Sequence, residues 1–465
     1  MIRFLLPAFI LWNCALSGQD TLNYPQFLQL LANHPAMQQA AIRSEMGEAA
    51  VQQARGGFDP VIQSGFNTKT AEGTTYYDLR QANLQLPTAS PLRFMGGLER
   101  NSGDYLNPQA YTPDGGQWYA GLGFPLLQGL MTDARRTALN QALAYRSFTG
   151  AESDRYRLSL WFEASKAYAD WWNAWERVEV SRELIALSEQ RLEAVNMRAE
   201  AGDLPRIDTV EAVMQLRQRQ QQLAEQAARE ANTRMHLNNF LWQRPGQDAN
   251  IPVELMPGTR PSAQPLTAPI WEQPELTPGA WDTLSIQSPV LRQMEAEIAG
   301  MDADLKWKKE QRKPQLDITL YSLGYLGSDD GPSIPDDSNL MAGFQFRYPL
   351  LNRSARGASR LQELRVEDKK LEMELVSTRL LNNARGLQEN IRQMENQLAL
   401  NLENVTALRI LVEGEKEKFA NGESSLFLVN QREMAYMEAR VRLADLYAGL
   451  FKTQCELQFT MGLLP

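Results

Sequence analysis

Two hydrophobic patterns alternate along this chain of 465 residues: long helical stretches, and short stretches in which apolar and polar residues take turns. Between Met131 and Ala201 there is one glycine and no proline, which predicts a helix of about 105 Å at 1.5 Å per residue. Gly202 and Pro205 then end one helix and begin another, which continues to Arg244 without glycine or proline. The pattern predicts a long helical hairpin.

A second long helix carries an apolar seam whose positions step by alternating fours and threes. Such a seam is typical of a coiled coil, and Asn401 is its one strongly polar member. The first helix has a thinner seam, whose small and polar residues permit close packing of several helices. The two seams are Leu380, Ala384, Leu387, Ile391, Met394, Leu398, Asn401, Val405, Leu408 and Val412, and Ile185, Ser188, Leu192, Val195 and Ala199.

The chain contains an internal repeat. Two pairs of prolines are 254 residues apart, Pro35 with Pro289 and Pro60 with Pro314. The sequence RYPLLNR at 347–353 is similar to GFPLLQG at 123–129, and Gly422 in FANGESSLFLVNQ lies 220 residues after Gly202. Because several spacings agree, we interpret the chain as two tandem copies of one structural unit.

Each repeat begins with a helical stretch between its two prolines, here called its lead-in helix, and a stretch of alternating residues follows. Ala342, Phe344, Phe346 and Tyr348 alternate with small or polar residues in the second repeat, and Trp118, Ala120, Leu122 and Phe124 do so in the first. Earlier partner strands are predicted around Leu316, Ile318 and Leu320, at residues 61–70, and around Ala82, Leu84 and Leu86. The segment at 87–116 is either an additional hairpin or a long outer loop.

A half-buried sheet of a soluble protein has the same alternation, since the pattern of a membrane barrel is weak in any one strand. The predicted strands are, however, long enough to cross a membrane when tilted, and tyrosine and tryptophan lie near their ends. A membrane sheet must close on itself. Four strands from one chain cannot close, so several chains would have to share such a barrel.

The first residues predict export and the middle of the chain predicts a linker. Residues 1–17 have Arg3 before a short apolar run, and we interpret them as a signal peptide, although Cys14 leaves lipidation open as an alternative. Eight of the 24 prolines fall between residues 245 and 278. The predicted division is therefore signal peptide 1–17, repeat 1 at 18–244, linker 245–284, where Trp271 and Trp281 offer packing, and repeat 2 at 285–465.

Composition and motifs argue against two other functional classes. The net charge of −9 lacks the basic face that nucleic acid requires. The two histidines, His34 and His236, have no metal-ligand spacing, and there is neither a phosphate-binding glycine loop nor a nucleophile elbow. We therefore expect no enzyme, no metal and no cofactor.

The ordered set of motifs resembles the TolC-type outer membrane efflux channels. It comprises NHPAMQQA, GGFDP, GFPLLQG, AGDLPRIDTVEA, SPVLRQMEAEI, RYPLLNR and ANGESSLFLVNQ, and it covers nearly all of the chain after the signal segment. The resemblance implies a mainly helical fold with a membrane β-barrel: a homotrimer whose twelve strands close one barrel, and helices that form a tunnel through the periplasm. It also implies location in the outer membrane of a Gram-negative bacterium.

The resemblance further implies a passive exit duct that works with a periplasmic adaptor protein and an inner membrane transporter in a tripartite efflux pump. A type I protein secretion channel of the same fold is an alternative. A structural or adaptor-like periplasmic coiled-coil protein is an alternative from another class, although adaptors normally carry one hairpin and this chain has two.

On the same resemblance, the turns at Gly202 and Gly422 are the periplasmic tips, where the adaptor docks and the tunnel narrows. Leu204, Ile207, Leu426 and Phe427 are candidates for adaptor contact, and packing within the turn is the other interpretation for each of them.

The aperture candidates are Asp208, Phe419, Ser424, Leu428 and Gln431. Asp208 stands where relatives place a carboxylate, and three such groups around an aperture would favour cations. The second repeat departs from the family pattern: Ser424 replaces an arginine, and Leu428 and Gln431 replace acidic residues. We therefore expect an aperture narrowed by Leu428 or Phe419, with Asp208 as its main charge.

Overall fold

The structure is a computed structural model that describes residues 21–244, 247–248, 256–258, 260–261, 288–326 and 339–463. The predicted signal peptide with Cys14, and most of the predicted linker with Trp271 and Trp281, lie outside the described residues.

The described helices follow the pattern expected from the repeat. Each repeat has a lead-in helix, a helix of nearly seventy residues and a shorter returning helix, and no described helix has an apolar run of the length that a membrane span needs. The prolines at 35 and 289 begin the two lead-in helices, as the repeat predicted. The helices are α1 Tyr24–Leu31, α2 Pro35–Arg55, α3 Ala134–Glu200, α4 Arg206–Asn238, α5 Pro289–Glu310, α6 Arg353–Ala420 and α7 Leu426–Met461.

Six of the strands form one antiparallel sheet in the order β10-β9-β5-β4-β3-β2. Two-residue strands make a parallel pair, β1 with β8, and β6 pairs with β7. The strands are β1 Thr21–Leu22, β2 Val61–Ala71, β3 Thr74–Pro87, β4 Arg93–Ser102, β5 Gln117–Pro125, β6 Trp242–Arg244, β7 Gln247–Asp248, β8 Met256–Pro257, β9 Gln315–Tyr325 and β10 Leu340–Arg347.

The number of strands corrects the expectation of four from each chain. The predicted strands are all present, but the undecided segment at 87–116 contributes β4, which pairs with β3 on one side and β5 on the other. The alternation is interrupted in β4 by Gly96 and Gly97, and the strand is held in register by its two neighbours. The segment is therefore part of an additional strand pair rather than only a loop.

The chain divides into two compact units, and each draws on both predicted repeats. Of the described residues, one unit contains 21–41, 153–244, 288–289 and 377–463 with the short described pieces between 247 and 261, and the other contains 42–152, 290–326 and 339–376, including the six-stranded sheet.

An aromatic core organises the first unit around the middle of α3. Tyr24, Tyr168 and Phe451 pack there together, and the hydroxyl of Tyr24 lies 2.8 Å from that of Ser165. Cys455 is 1% exposed in the same cluster, and burial raises the pKa of its thiol to about 12. The buried hydroxyls of Tyr24 and Ser165 are thus partners of one another, as buried polar groups require.

The two predicted helical seams face inward, which confirms the coiled-coil interpretation. On α6, Ala384 is fully buried, and Leu387 packs in a cluster with Leu457 and Met461 of α7. Asn401 is buried too, and its side-chain amide donates a 3.0 Å hydrogen bond to the Ala439 carbonyl. On α3, Ser188 and Val195 are buried. The polar members of the seams therefore make specific contacts between helices.

A buried carboxylate joins all four helices of the two hairpins. Glu433 of α7 is 1% exposed and pairs with Arg191 of α3. Its Oε2 lies 3.4 Å from Arg219 of α4, and its Oε1 lies 3.4 Å from Lys416 of α6. Arg219 also donates a 2.6 Å hydrogen bond to Asn430. One acidic group thus balances cations from three other helices.

The pKa of Arg219 is lowered from its usual value, first by burial and then by the positive charge of Arg191, while Glu433 opposes the shift. Removing Glu433 would leave two buried guanidinium groups facing each other. Breaking a buried ion pair by removal of one partner is strongly destabilising, because the remaining charge has lost both water and its partner.

Replacing Glu433 with Gln should lower the free energy of unfolding of the hairpins by about 3–5 kcal/mol, because the neutral amide cannot compensate Arg191 and Arg219. Hydrogen exchange of α4 and α7 measures the change. Glu438→Gln is the matched control, since Glu438 is exposed on the same helix and its loss should cost less than about 0.5 kcal/mol. Equal protection in the two variants would contradict the assigned role of Glu433.

Candidate functional site

The turns at Gly202 and Gly422 have the same backbone geometry. Their φ angles are 85° and 79°, in the left-handed region that favours glycine. The amide after each glycine bonds back to the last helical turn: Asp203 N donates to Arg198 O at 2.9 Å, and Glu423 N to Lys418 O at 2.8 Å. Both helices therefore end in the same C-terminal capping motif, which reverses the chain within a few residues.

The adaptor candidates separate into buried and exposed residues. Leu426 is only 5% exposed and packs with Val195 and Ala212, and half-buried Leu204 lies against the same cluster. Ile207 and Phe427, at equivalent positions of the two turns, are 68% and 63% exposed. Packing within the turn is thus the structural role of Leu204 and Leu426, and the surface is formed by Ile207 and Phe427.

The aperture candidates separate in the same way. Phe419 packs against the cluster that contains Leu426, and the guanidinium of Arg198 lies over its ring, 5.3 Å from the centroid. Arg198 also donates a 3.2 Å hydrogen bond to the Phe419 carbonyl. Phe419 is therefore engaged within its own chain.

Ser424 also makes a contact within the chain. Its hydroxyl donates a 2.5 Å hydrogen bond to Glu415, and Glu415 lies 3.8 Å from Arg432. Ser424 thus belongs to a local network between α6 and α7.

Asp208, Leu428 and Gln431 have accessible side chains. Asp208 is half-buried in the first turn of α4, Leu428 is 38% exposed in the first turn of α7, and Gln431 is exposed. Each lies close to its turn in sequence.

Sequence reasoning missed an exposed apolar stripe on α4. Val210 and Met214 follow Ile207 at helical spacing and are 53% and 68% exposed, and Val213 is 41% exposed beside them. The spacing of three and four residues is visible in the sequence. The stripe was missed because apolar seams were predicted only on the helices that became α3 and α6, and none was predicted on α4. The stripe extends the exposed surface at the turn along the returning helix.

The six-stranded sheet of the second unit has one apolar face. Cross-strand pairs such as Phe94 with Leu122, Leu122 with Leu320 and Ile318 with Phe344 place apolar side chains opposite one another from strand to strand. Phe344 and Ile62 are 80% and 78% exposed. The face comprises Ile62, Phe66, Leu84, Leu86, Phe94, Leu98, Trp118, Leu122, Phe124, Leu316, Ile318, Leu320, Leu340, Phe344 and Phe346.

The apolar face ends in charges and aromatic residues near the turn between β2 and β3. There Asp78 and Arg80 form an ion pair of 2.9 Å. Tyr76 stacks near Tyr105, with ring centroids 4.7 Å apart. A contiguous exposed apolar surface of this extent is unusual for a soluble monomer. Its boundary of charged and aromatic groups has the order found at a membrane interface.

The opposite face of the sheet is polar. Arg93 of β4 and Asp317 of β9 form an ion pair of 3.3 Å across the intervening strand β5. Tyr119 donates a 2.6 Å hydrogen bond to Asn83. The polar residues of this face are Gln63, Asn67, Gln81, Asn83, Gln85, Arg93, Gln117, Gln315, Asp317, Thr319 and Gln345.

Two tyrosines lie flat on the polar face because glycine stands opposite each of them. An added Cβ at Gly97 would lie 2.6 Å from Tyr119 Cζ, and one at Gly121 would lie 2.3 Å from Tyr321 Cδ1. The rings of Tyr119 and Tyr321 meet edge to face with centroids 5.6 Å apart. Glycine opposite an aromatic residue thus keeps both rings against the backbone.

No group of three metal-ligating side chains comes together within the part of the chain that the structure describes.

No family model matches the chain, and no curated protein matches it. Solved structures do. The outer membrane channel OprN is 15% identical with a TM-score of 0.66, over 94% of this chain and 90% of that one. The outer membrane protein VceC from Vibrio cholerae is 12% identical with a TM-score of 0.63, over 94% and 96%.

CusC, whose structures describe folding and transmembrane channel formation, is 14% identical with a TM-score of 0.63, over 100% of this chain and 99% of that one. Identities this low establish the fold alone. The likeness spans nearly the full length of both chains, and the order of helices and strands agrees with the resemblance found in the sequence motifs. The chain therefore has the fold of the TolC-type outer membrane channels.

Proposed function

We propose that this protein is the outer membrane channel of a tripartite efflux pump. In this role it is a homotrimeric, passive exit duct in the outer membrane of a Gram-negative bacterium, and an inner membrane transporter and a periplasmic adaptor deliver its substrate. The observation that carries the proposal is the two-faced sheet, with an exposed apolar face on one side and a polar face on the other. A lipid-facing exterior and a water-filled interior are what the strands of a membrane barrel provide.

The same sheet argues against a soluble periplasmic coiled-coil protein. Ile62 on one edge strand and Phe344 on the other are 78% and 80% exposed. Such side chains would promote aggregation in water, whereas lipid would cover them. A second argument concerns the two outer strands of the sheet, whose outward backbone groups are not paired with another strand. In a membrane these groups would need a partner strand, because lipid offers no hydrogen bonds.

Neighbouring residues of β10 test membrane insertion. Phe344→Arg places a charge on the apolar face and should cost about 2–4 kcal/mol, so the variant should be lost from the outer membrane fraction. Gln345→Arg, the adjacent position on the polar face, should be retained there. Immunoblots of detergent-extracted membranes and single-channel recordings of each protein give the measurement. If both variants fractionate alike, or if the wild-type protein is released by salt alone, the channel proposal fails.

We also propose that the exposed surface at the two turns binds the adaptor. Ile207 and Phe427 form that surface, and Val210 and Met214 extend it along α4. Equivalent apolar side chains on the two turns offer the adaptor similar contacts on both hairpins. An amphipathic helical hairpin is a suitable partner, because exposed apolar residues at helical spacing fit the groove between two helices.

Photo-reactive cross-linkers at Ile207 and Phe427 should form adducts with a membrane-anchored periplasmic protein that carries a helical hairpin, identified by mass spectrometry in the native host. Met235, an equally exposed apolar residue at the other end of α4, is the control position and should not capture that protein. Adducts between copies of this chain alone would instead assign the surface to assembly of the channel.

Asp208 is proposed as the main charge of the aperture, since its side chain is accessible beside the turn and its counterpart in the second repeat is Leu428. Asp208→Ala should reduce the cation preference of single-channel currents, because three carboxylates would be removed from one ring in a trimer. Glu438→Ala, far from the turn on α7, should leave the reversal potential unchanged. An unchanged reversal potential for Asp208→Ala would contradict its placement in the aperture.

A further inference from the structure

We propose that three copies of this chain close a barrel of eighteen strands, wider than the twelve-stranded barrel that the resemblance implies, by pairing β2 of each copy with β10 of the next. This inference rests on the proposed function, which supplies the trimer. Its partner is a second copy of this chain, and the observation behind it is the strand count of a single sheet.

The two edges of the sheet are unsatisfied in a single chain. In the described sheet, β2 pairs only with β3, and β10 pairs only with β9. Each edge strand therefore presents a row of backbone N–H and C=O groups on its outer side. In lipid every such group costs several kcal/mol unless it is bonded, so the edges must meet other strands.

The two edges are complementary to one another. All five pairings within the sheet are antiparallel, and the sheet has an even number of strands, so β2 and β10 run in opposite directions. Joining β2 of one copy to β10 of the next continues the antiparallel order. Both edge strands also carry apolar side chains on the same face, Ile62 and Phe66 on β2, and Phe344 and Phe346 on β10. The lipid-facing surface therefore continues across the joint.

The hairpin of β3 and β4 is what separates this chain from a four-stranded subunit, and β4 is the strand that joins it to β5. The cross-strand pairs of β4 are Leu98 with Ala82 of β3 and Leu98 with Trp118 of β5, so it is a full member of the sheet with its apolar residues on the lipid side. With strands about 4.8 Å apart and tilted by about 40°, eighteen strands give a backbone diameter of about 36 Å, against about 24 Å for twelve. Barrels of this strand number hold an aqueous channel.

Accessibility of the lumen to bulky reagents tests the width. Thr319 and Ile318 are adjacent on β9, Thr319 on the polar face and Ile318 on the apolar face. Thr319→Cys and Ile318→Cys proteins in outer membrane vesicles are treated with thiol-reactive polyethylene glycols of increasing size. These reagents enter through the external mouth, so the periplasmic tips do not limit them. The wild-type chain sets the background, because Cys455 is 1% exposed.

A shortened chain provides the comparison. Replacing residues 72–116 with Asn-Gly joins β2 directly to β5 through a two-residue turn, which favours a hairpin. Ala71 then stands opposite Gln117, and Phe66 opposite Leu122, so the apolar face is preserved. This variant has four strands and should form a twelve-stranded trimer.

Thr319→Cys in the full chain should react with larger reagents than Thr319→Cys in the shortened chain, and Ile318→Cys should react with none. The same size limit in both chains would overturn the wide barrel and leave the channel proposal standing. Equal labelling of Thr319→Cys and Ile318→Cys would instead mean that the sheet encloses no lumen, so the channel proposal itself would fail.

The strand count of the detergent-extracted wild-type assembly, determined by electron cryomicroscopy, needs no variant and decides the matter even if the shortened chain does not fold. Eighteen strands support the inference, and twelve overturn it.

Discussion

The constraint on which the rest of the structure depends is that a sheet in lipid can leave no backbone hydrogen bond unmade. The six strands satisfy one another everywhere except along β2 and β10. Since a single chain leaves these two edges open, assembly would be a condition of membrane insertion in the proposed channel rather than a later step. The separation of apolar and polar faces fits the same proposal, because a closed sheet in a membrane has one side toward lipid and the other toward water.

Most of the fold was readable from the sequence because its signals are periodic and repeated. The seam around Ala384 and Asn401 predicted that α6 packs in a coiled coil, and the structure shows α7 as its partner. The spacing of Gly202 and Gly422 predicted two equivalent turns. The sequence leaves the segment that contains β4 open between a hairpin and a loop, because Gly96 and Gly97 interrupt its alternation. What identifies it as a strand is pairing with two neighbours, and pairing is a property of the assembled sheet that no single segment carries.

The candidate site was predicted only in part, for a geometric reason. Leu426 and Phe427 are consecutive apolar residues after the same turn, yet one is buried against Val195 and the other is exposed. A difference of about 100° around the helix axis decides between these environments, and sequence fixes that angle only when the packing partner is known. Glu433 illustrates the same limit, because its partners come from three helices that are distant in sequence.

The glycines opposite Tyr119 and Tyr321 have a consequence for how such a barrel could change its bore. At each glycine the tyrosine ring occupies the space where the methyl group of an alanine would lie. Adding that methyl group would push the ring away from the backbone and toward the interior. In a symmetric assembly every copy would contribute the same displaced ring at the same height. In a barrel of the proposed kind, the absence of a side chain at Gly97 and Gly121 would therefore keep the lumen wide. A single glycine-to-alanine change would narrow it at one height in every copy.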